Sequence, residues 1–172
     1  MLATHPTPPP YSAGDLCRAM LGGTGAFPAL DASRLDRVLC HDADRAVLEV
    51  QAGAPWSALP VGASFPGRSV GEAVAANCAG PDGRPIVAHL LALTLVTPDG
   101  ELRRASRERA PELFALAVGG MGVFGPFYSL TFDLTSLAGA TAAPAAAACA
   151  PEATDAPGTS IELLVPPEAS EA

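Results

Sequence analysis

The stretch "AVGGMGVFGPF", residues 117–127, contains Gly120-x-Gly122-x-x-Gly125, the spacing of a dinucleotide-binding glycine loop. Such a loop works when a strand enters it and a helix leaves it, because the pyrophosphate then meets the free N–H groups and positive dipole of the helix start. Here the order is reversed. The preceding "APELFALAV" reads as a helix with Pro111 in its first turn, and the following "FYSLTFDL" alternates as a strand. Pro126, directly after Gly125, also removes an amide donor. The nicotinamide-type reading fails. What remains is four glycines within residues 119–125, where backbone can lie against another group without a Cβ between them. The plainer alternative is that Gly119 caps the helix and the others allow tight packing.

Working outward from the loop, "FYSLTFDL" places Tyr128, Leu130, Phe132 and Leu134 on one face and Ser129, Thr131 and Asp133 on the other. Upstream, "HLLALTLVTPDGELRRAS" predicts a hairpin turning at Pro98-Asp99-Gly100, and the apolar run "IVAHLLALTLV" (86–96) reads as a buried strand. "RSVGEAVAANCAG" predicts a short, tightly packed helix ending at Gly80, and "PWSAL" a helical turn with Pro55 at its first position. "RLDRVLCHDADRAVLEVQAG" gives two strands about the turn Asp42–Arg45. "SAGDLCRAM" gives a helix with Ser12 as N-cap, Asp15 three residues on, and Leu16 and Met20 on one face. Irregular alternation with antiparallel hairpins argues for an α+β fold over a doubly wound parallel sheet. The Pro-rich residues 1–11 and the Ala/Pro-rich residues 137–172 have little to bury, which predicts disorder flanking one domain at 12–136. "SIELLVPP" near the end has the composition of an edge strand.

The chain of 172 residues suits one domain with a real core. All ten of its basic residues are Arg, and its formal net charge is −8, which repels a phosphate backbone and argues against nucleic-acid binding. No basic, then apolar leader opens the chain, and no apolar run approaches the roughly 20 residues of a membrane span, so a cytoplasmic protein with no membrane span is expected. Cys17, Cys40, Cys78 and Cys149 are single and the three His dispersed, so no metal site is expected, and the first three cysteines are read as buried thiols.

Taken in order, "ASRLDRVL…AVLEVQAGAPWSAL", "SVGEAVAANCAG", "LLALTLVTPDGELRRAS…PELFALAVGGMGVFG" and "SLTFDL" resemble the FAD-binding domain of the vanillyl-alcohol-oxidase, or FAD-linked oxidase, family. The nearest flavour is the decaprenylphosphoryl-ribose and sugar-lactone oxidases. The resemblance spans roughly residues 28–135. It implies an α+β FAD-binding domain with a mixed or antiparallel sheet, holding FAD non-covalently and passing hydride from an alcohol or sugar C–H to the flavin. It also implies that Ser69, Val70, Gly71, Asn77 and Gly80 lie along the pyrophosphate and ribityl chain. Gly119, Gly120, Gly122 and Gly125 would admit the cofactor closely, and Phe127 would offer backbone beside it. Backbone amides can bind an anion without Lys or Arg, so an acidic chain could still do so.

Four departures from the family pattern bear on this. The N-terminal glycine loop is reduced to "LGGTGAF" (21–27), with no His to carry a covalent flavin. Glu72 replaces the family's second Gly. A carboxylate beside a pyrophosphate costs on the order of 1 to 4 kcal/mol, whereas as a first-turn helix residue it is favourable. "LPVGASFPGRS" and "GPDGRPIVAHL" are contracted, and nothing after residue 136 resembles a substrate domain. The substrate side would then come from a second copy or a separate subunit. The alternative is a non-catalytic relic or interaction module that keeps the fold without FAD. His41 and His89 read as packed or surface residues, Trp56 as a packing anchor, and Arg103, Arg104, Arg107 and Arg109 as a solvated cluster.

Overall fold

The computed structural model describes residues 12–22, 32–62 and 65–139. The Pro-rich start, most of "LGGTGAF", Cys149 and the tail from 140, with "SIELLVPP", lie outside them. Helix α1 (Ala13–Gly22) precedes strands β1 (Val38–Asp42) and β2 (Val47–Gln51). Helix α2 (Val70–Ala75), strands β3 (Leu90–Val96) and β4 (Leu102–Ser106), helix α3 (Pro111–Ala117), strand β5 (Phe127–Asp133) and helix α4 (Leu134–Gly139) follow. The sheet is antiparallel throughout, in the order β1-β2-β5-β3-β4. The strand that leaves the glycine loop is therefore its centre, paired on both sides.

That position explains the burial of β5. Leu130 and Phe132 sit opposite Val50 and Leu48 of β2, and all four are fully buried with Leu93 and Leu95 of β3. Burying each such side chain contributes on the order of 1.5–3 kcal/mol. Trp56, Val70, Val74, Phe114 and Ala117 cover this face. On the opposite face Ser129 and Thr131 are also buried, because strands flank them on both sides. Their hydroxyls are satisfied: Ser129 donates to Glu49 (2.8 Å), and Arg104 donates to Thr131 (3.2 Å) and pairs with Glu49 (3.4 Å). At one end of this face α1 packs Leu16 and Met20 against Val96 and Leu35. The Ser12 hydroxyl accepts from the Asp15 amide and the Asp15 carboxylate accepts from the Ser12 amide, as the capping pattern predicts.

Several local expectations are corrected. Pro55 is the N-cap of a 3-10 turn, Trp56–Ala58, and not its first helical residue. The segment 86–96 is not one strand. Ile86–Ala88 is a 3-10 turn, held by Cys78 accepting from the Ile86 amide and Asn77 Oδ1 from the Val87 amide, so pairing begins at Leu90. Helix α2 ends at Ala75, five residues short of Gly80, before the left-handed backbone of Asn77 (φ 47°). Cys40 is exposed and Cys17 and Cys78 are half-buried, because β1 is an open edge and the other two sit at element margins. The cluster Arg103, Arg104, Arg107 and Arg109 is exposed, as the sequence suggests, and three of its side chains also have partners. Arg103 pairs with Asp99 and Glu101, and Arg107 donates to the Leu90 and Val87 carbonyls while lying over Phe114. Helix α4 carries the fold to Gly139, with Leu137 buried. No helix among the described residues is long and apolar enough to cross a membrane.

Gly125 is where the loop meets the sheet. Its φ is +123°, and a Cβ there would lie 1.9 Å from the Val96 carbonyl oxygen. We predict that Gly125→Ala lowers unfolding free energy by at least about 2 kcal/mol. Gly122→Ala, at φ +80° but facing open space, should cost only about 1 kcal/mol. Urea unfolding of both variants checks the ranking, and equal losses would contradict it.

Candidate functional site

Helix α2 has six residues and stays helical because both ends are tied to other backbone. At its start, the Val70 and Gly71 amides donate to the Ala54 and Ala52 carbonyls (2.9 and 2.7 Å). The Ser69 hydroxyl accepts from the Glu72 amide, and Glu72 Oε2 accepts from the Arg68 amide at 2.8 Å, a shifted version of the reciprocal cap. At its end, the Val74 and Ala75 carbonyls accept from the Gly119 and Met121 amides (3.1 and 3.0 Å). The glycine loop thus docks directly on the C-terminus of α2. Such close approach needs residues without a Cβ. At Gly71 a Cβ would be 2.7 Å from the Ala52 oxygen, and at Gly53 it would be 1.9 Å from the Ala32 oxygen.

Between these parts opens a cleft of about 660 Å³. Ala32, Ala52, Gly53, Gly71 and Ala75 form small-residue walls, Gly122, Gly125, Pro126 and Phe127 a third side, and Ser33, Arg68, Ser69 and Glu72 the polar lining. Of the ten residues that the resemblance implies, Ser69, Gly71, Gly122, Gly125 and Phe127 line it. Val70 is buried in the core beneath it. Asn77 and Gly80 do not line it: the Asn77 side chain holds the turn before β3, and a Cβ at Gly80 would strike the Phe65 ring at 2.5 Å. Gly119 and Gly120 sit in the junction between α3 and α2, and neither lines the cleft.

The amides matter for what the cleft can hold. Those of Val70, Gly71, Glu72, Gly119, Met121 and Gly125 all donate within the protein. Among the described residues, the Ser69 and Gly122 amides in the lining donate to nothing. A continuous amide nest is therefore not present. Sequence reading missed Arg68, the cation of the lining, and the walls at Ala32 and Ala52–Gly53. Arg68 stands one residue before the Ser-x-x-Glu cap, which was the available signal.

His89 lies elsewhere. It is fully buried below the edge of Phe65, with Nδ1 2.7 Å from the Ser136 hydroxyl and Nε2 3.4 Å from Asp82 Oδ2. It does not reach the cleft, and it anchors α4 to the sheet. His41 is exposed on the edge strand β1. Trp56 stacks on Phe65 at 4.9 Å, inside the core. Among the described residues no group of three His, Cys, Asp or Glu side chains could hold a metal ion.

Burial holds the His89 pKa below the ordinary histidine value, and Asp82, Ser136 and Asp133 oppose that shift while Arg84 adds to it. A lowered folded-state pKa favours the neutral ring. The His89 contribution to stability is therefore complete above the unfolded value near 6.5 and is lost as pH falls through it toward the folded value. We predict that the urea midpoint falls between pH 7.5 and 5.5, and that His89→Gln flattens this dependence. An unchanged slope in the variant would contradict the assignment.

Against known proteins, no family model matches the chain, and no curated protein matches it. Solved structures do. Berberine bridge enzyme, as an H174A variant with (S)-reticuline, aligns with a TM-score of 0.57 at 18% identity over 72% of this chain and 32% of its own. Alkyldihydroxyacetonephosphate synthase aligns with a TM-score of 0.51 at 16% identity, over 59% of this chain and 21% of its own. Xylooligosaccharide oxidase from Myceliophthora thermophila C1, in complex with xylobiose, has a TM-score of 0.49 at 22% identity, covering 60% and 25%. The chain thus spans from about a fifth to a third of these proteins' lengths. The chain therefore shares the fold of part of berberine bridge enzyme and of alkyldihydroxyacetonephosphate synthase, an α+β domain built on a five-stranded antiparallel sheet.

Proposed function

We propose that the cleft between α2 and the glycine loop binds FAD non-covalently, and that the protein is the FAD-binding domain of an FAD-linked oxidoreductase. The observation that supports this best is that a small-residue helix start and the loop entering β5, far apart in sequence, line one cleft on a fold of this class. The lining fits the cofactor in part. Gly and Ala walls admit a flat ring system, Phe127 offers an apolar surface, and Ser69, Gly122 and Arg68 offer donors. Among the described residues of the lining there is no His or Cys. When bound, FAD would supply a two-electron acceptor able to take hydride from an alcohol or sugar C–H. The chain's own residues would bind and orient it. Among the described residues the lining's one carboxylate is Glu72, which lies 3.4 Å from the Arg68 guanidinium.

We infer that the substrate side is supplied separately. Met121 (73% exposed) and Val123 (60%), on either side of the cleft-lining Gly122, and Leu116 (54%) near the end of α3 leave apolar surface exposed. Such patches mark association surfaces. A second copy or a separate substrate-side subunit covering it would sit at the cleft's rim. The same observation also supports a second reading, in which the domain keeps the fold as a non-catalytic interaction module. We place the protein in the cytoplasm, in keeping with three cysteines outside disulfides among the described residues.

The first test is whether flavin co-purifies. The flavin reading predicts a yellow protein that releases flavin on heating. A colourless protein that neither retains nor quenches added FAD would leave the interaction-module reading in its place. The second test is sedimentation. The wild-type chain is expected to associate with itself or with a co-purifying subunit, and a Met121→Ser/Val123→Ser variant to be monomeric. A wild-type chain that sediments only as a monomer and brings down no subunit would contradict the role given to the patch.

A further inference from the structure

The cleft's amides are mostly engaged, which raises the question of what would balance the two negative charges of a pyrophosphate. Among the described residues the lining has one cation, Arg68. Its backbone amide is fixed by Glu72 Oε2, and its guanidinium rests 3.4 Å from Glu72 Oε1 with the Arg side chain 93% exposed. An ion pair this exposed contributes between nothing and about 1 kcal/mol, so little holds the guanidinium in place. A phosphate offers it two parallel acceptors and a charge-assisted bond about twice as strong as a neutral one. The side chain is long enough to turn inward while its own backbone stays clamped. Beside it, the Ser69 amide is unengaged among the described residues.

We propose that Arg68 is the phosphate-recognition residue of this cleft, exchanging its Glu72 partner for the pyrophosphate when a dinucleotide binds. This rests on the flavin reading and adds to it a specificity for the diphosphate over the bare ring. Glu72 has two effects. Through its Oε2 it keeps the Arg68 backbone in register, and its charge competes with the phosphate for the guanidinium. Loss of that charge should therefore tighten dinucleotide binding.

The test is a fluorescence titration of the full chain with FAD and with riboflavin, which lacks phosphate, at one fixed ionic strength. Arg68→Ala is expected to weaken FAD binding about ten- to a hundred-fold and to leave riboflavin unchanged. Arg68→Lys should fall between, since an ammonium is a point charge and not a fork. Glu72→Gln should tighten FAD several-fold without affecting riboflavin. Because Arg68 is exposed, its variants should unfold at the wild-type urea midpoint. FAD binding that Arg68→Ala leaves intact, or losses equal for FAD and riboflavin, would overturn this inference while leaving the flavin reading standing. A wild-type chain that binds neither ligand would overturn both.

Discussion

The structure depends on four backbone hydrogen bonds that suspend a six-residue helix between two loops. The first two amides of α2 donate to the chain leaving β2, and its last two carbonyls accept from the glycine loop entering β5. A helix this short has no stability of its own in water. Each bond contributes only about 0.5–1.5 kcal/mol net, but an unpaired buried group would cost about 1–3 kcal/mol. These contacts also fix the distance between the two walls of the cleft. The glycines are what the clamp requires. Gly71, Gly53 and Gly125 each lie where a Cβ would overlap another residue's carbonyl oxygen.

This shifts the meaning of the glycine-rich loop. Its spacing suggests a surface shaped for a ligand, yet most of its residues are shaped for the protein. Gly119 closes α3 and bonds to α2, Gly120 packs over Leu116 and Phe124, and Gly125 touches β3. Gly122 alone of these four faces open space, and it lines the cleft together with Gly125. The packing reading accounts for Gly119, Gly120 and Gly125, and the proposed ligand contact falls to the part of the motif around Gly122.

Much of the architecture was legible because its signals are local. Alternation marked β5, Pro98-Asp99-Gly100 marked the hairpin, and Ser12 with Asp15 marked the start of α1. The errors fell where tertiary context overrides a local pattern. Ile86–Ala88 has strand composition, but the turn made by Asn77 and Cys78 captures it. Ser129 and Thr131 alternate like an outward face, but as parts of a central strand they are buried and bonded. The site was legible at the level of segments and less so of residues. Asn77 and Gly80 share their segment with Ser69 and Gly71, but α2 carries the two pairs to opposite ends. The Ala52–Gly53 wall had no signal, because its role arises only from packing against α2.

The central claim is that a flavin dinucleotide seats between the start of α2 and the open side of the glycine loop. Backbone amide chemical shifts recorded as FAD is added to isotope-labelled protein test it most directly. The account predicts that Gly53, Ser69, Gly122 and Phe127 move together in one saturable transition while Gly80 and the buried strand β3 stay still. Shifts gathered around Arg109 and Pro111 in the groove beside β4, or none at all, would contradict it.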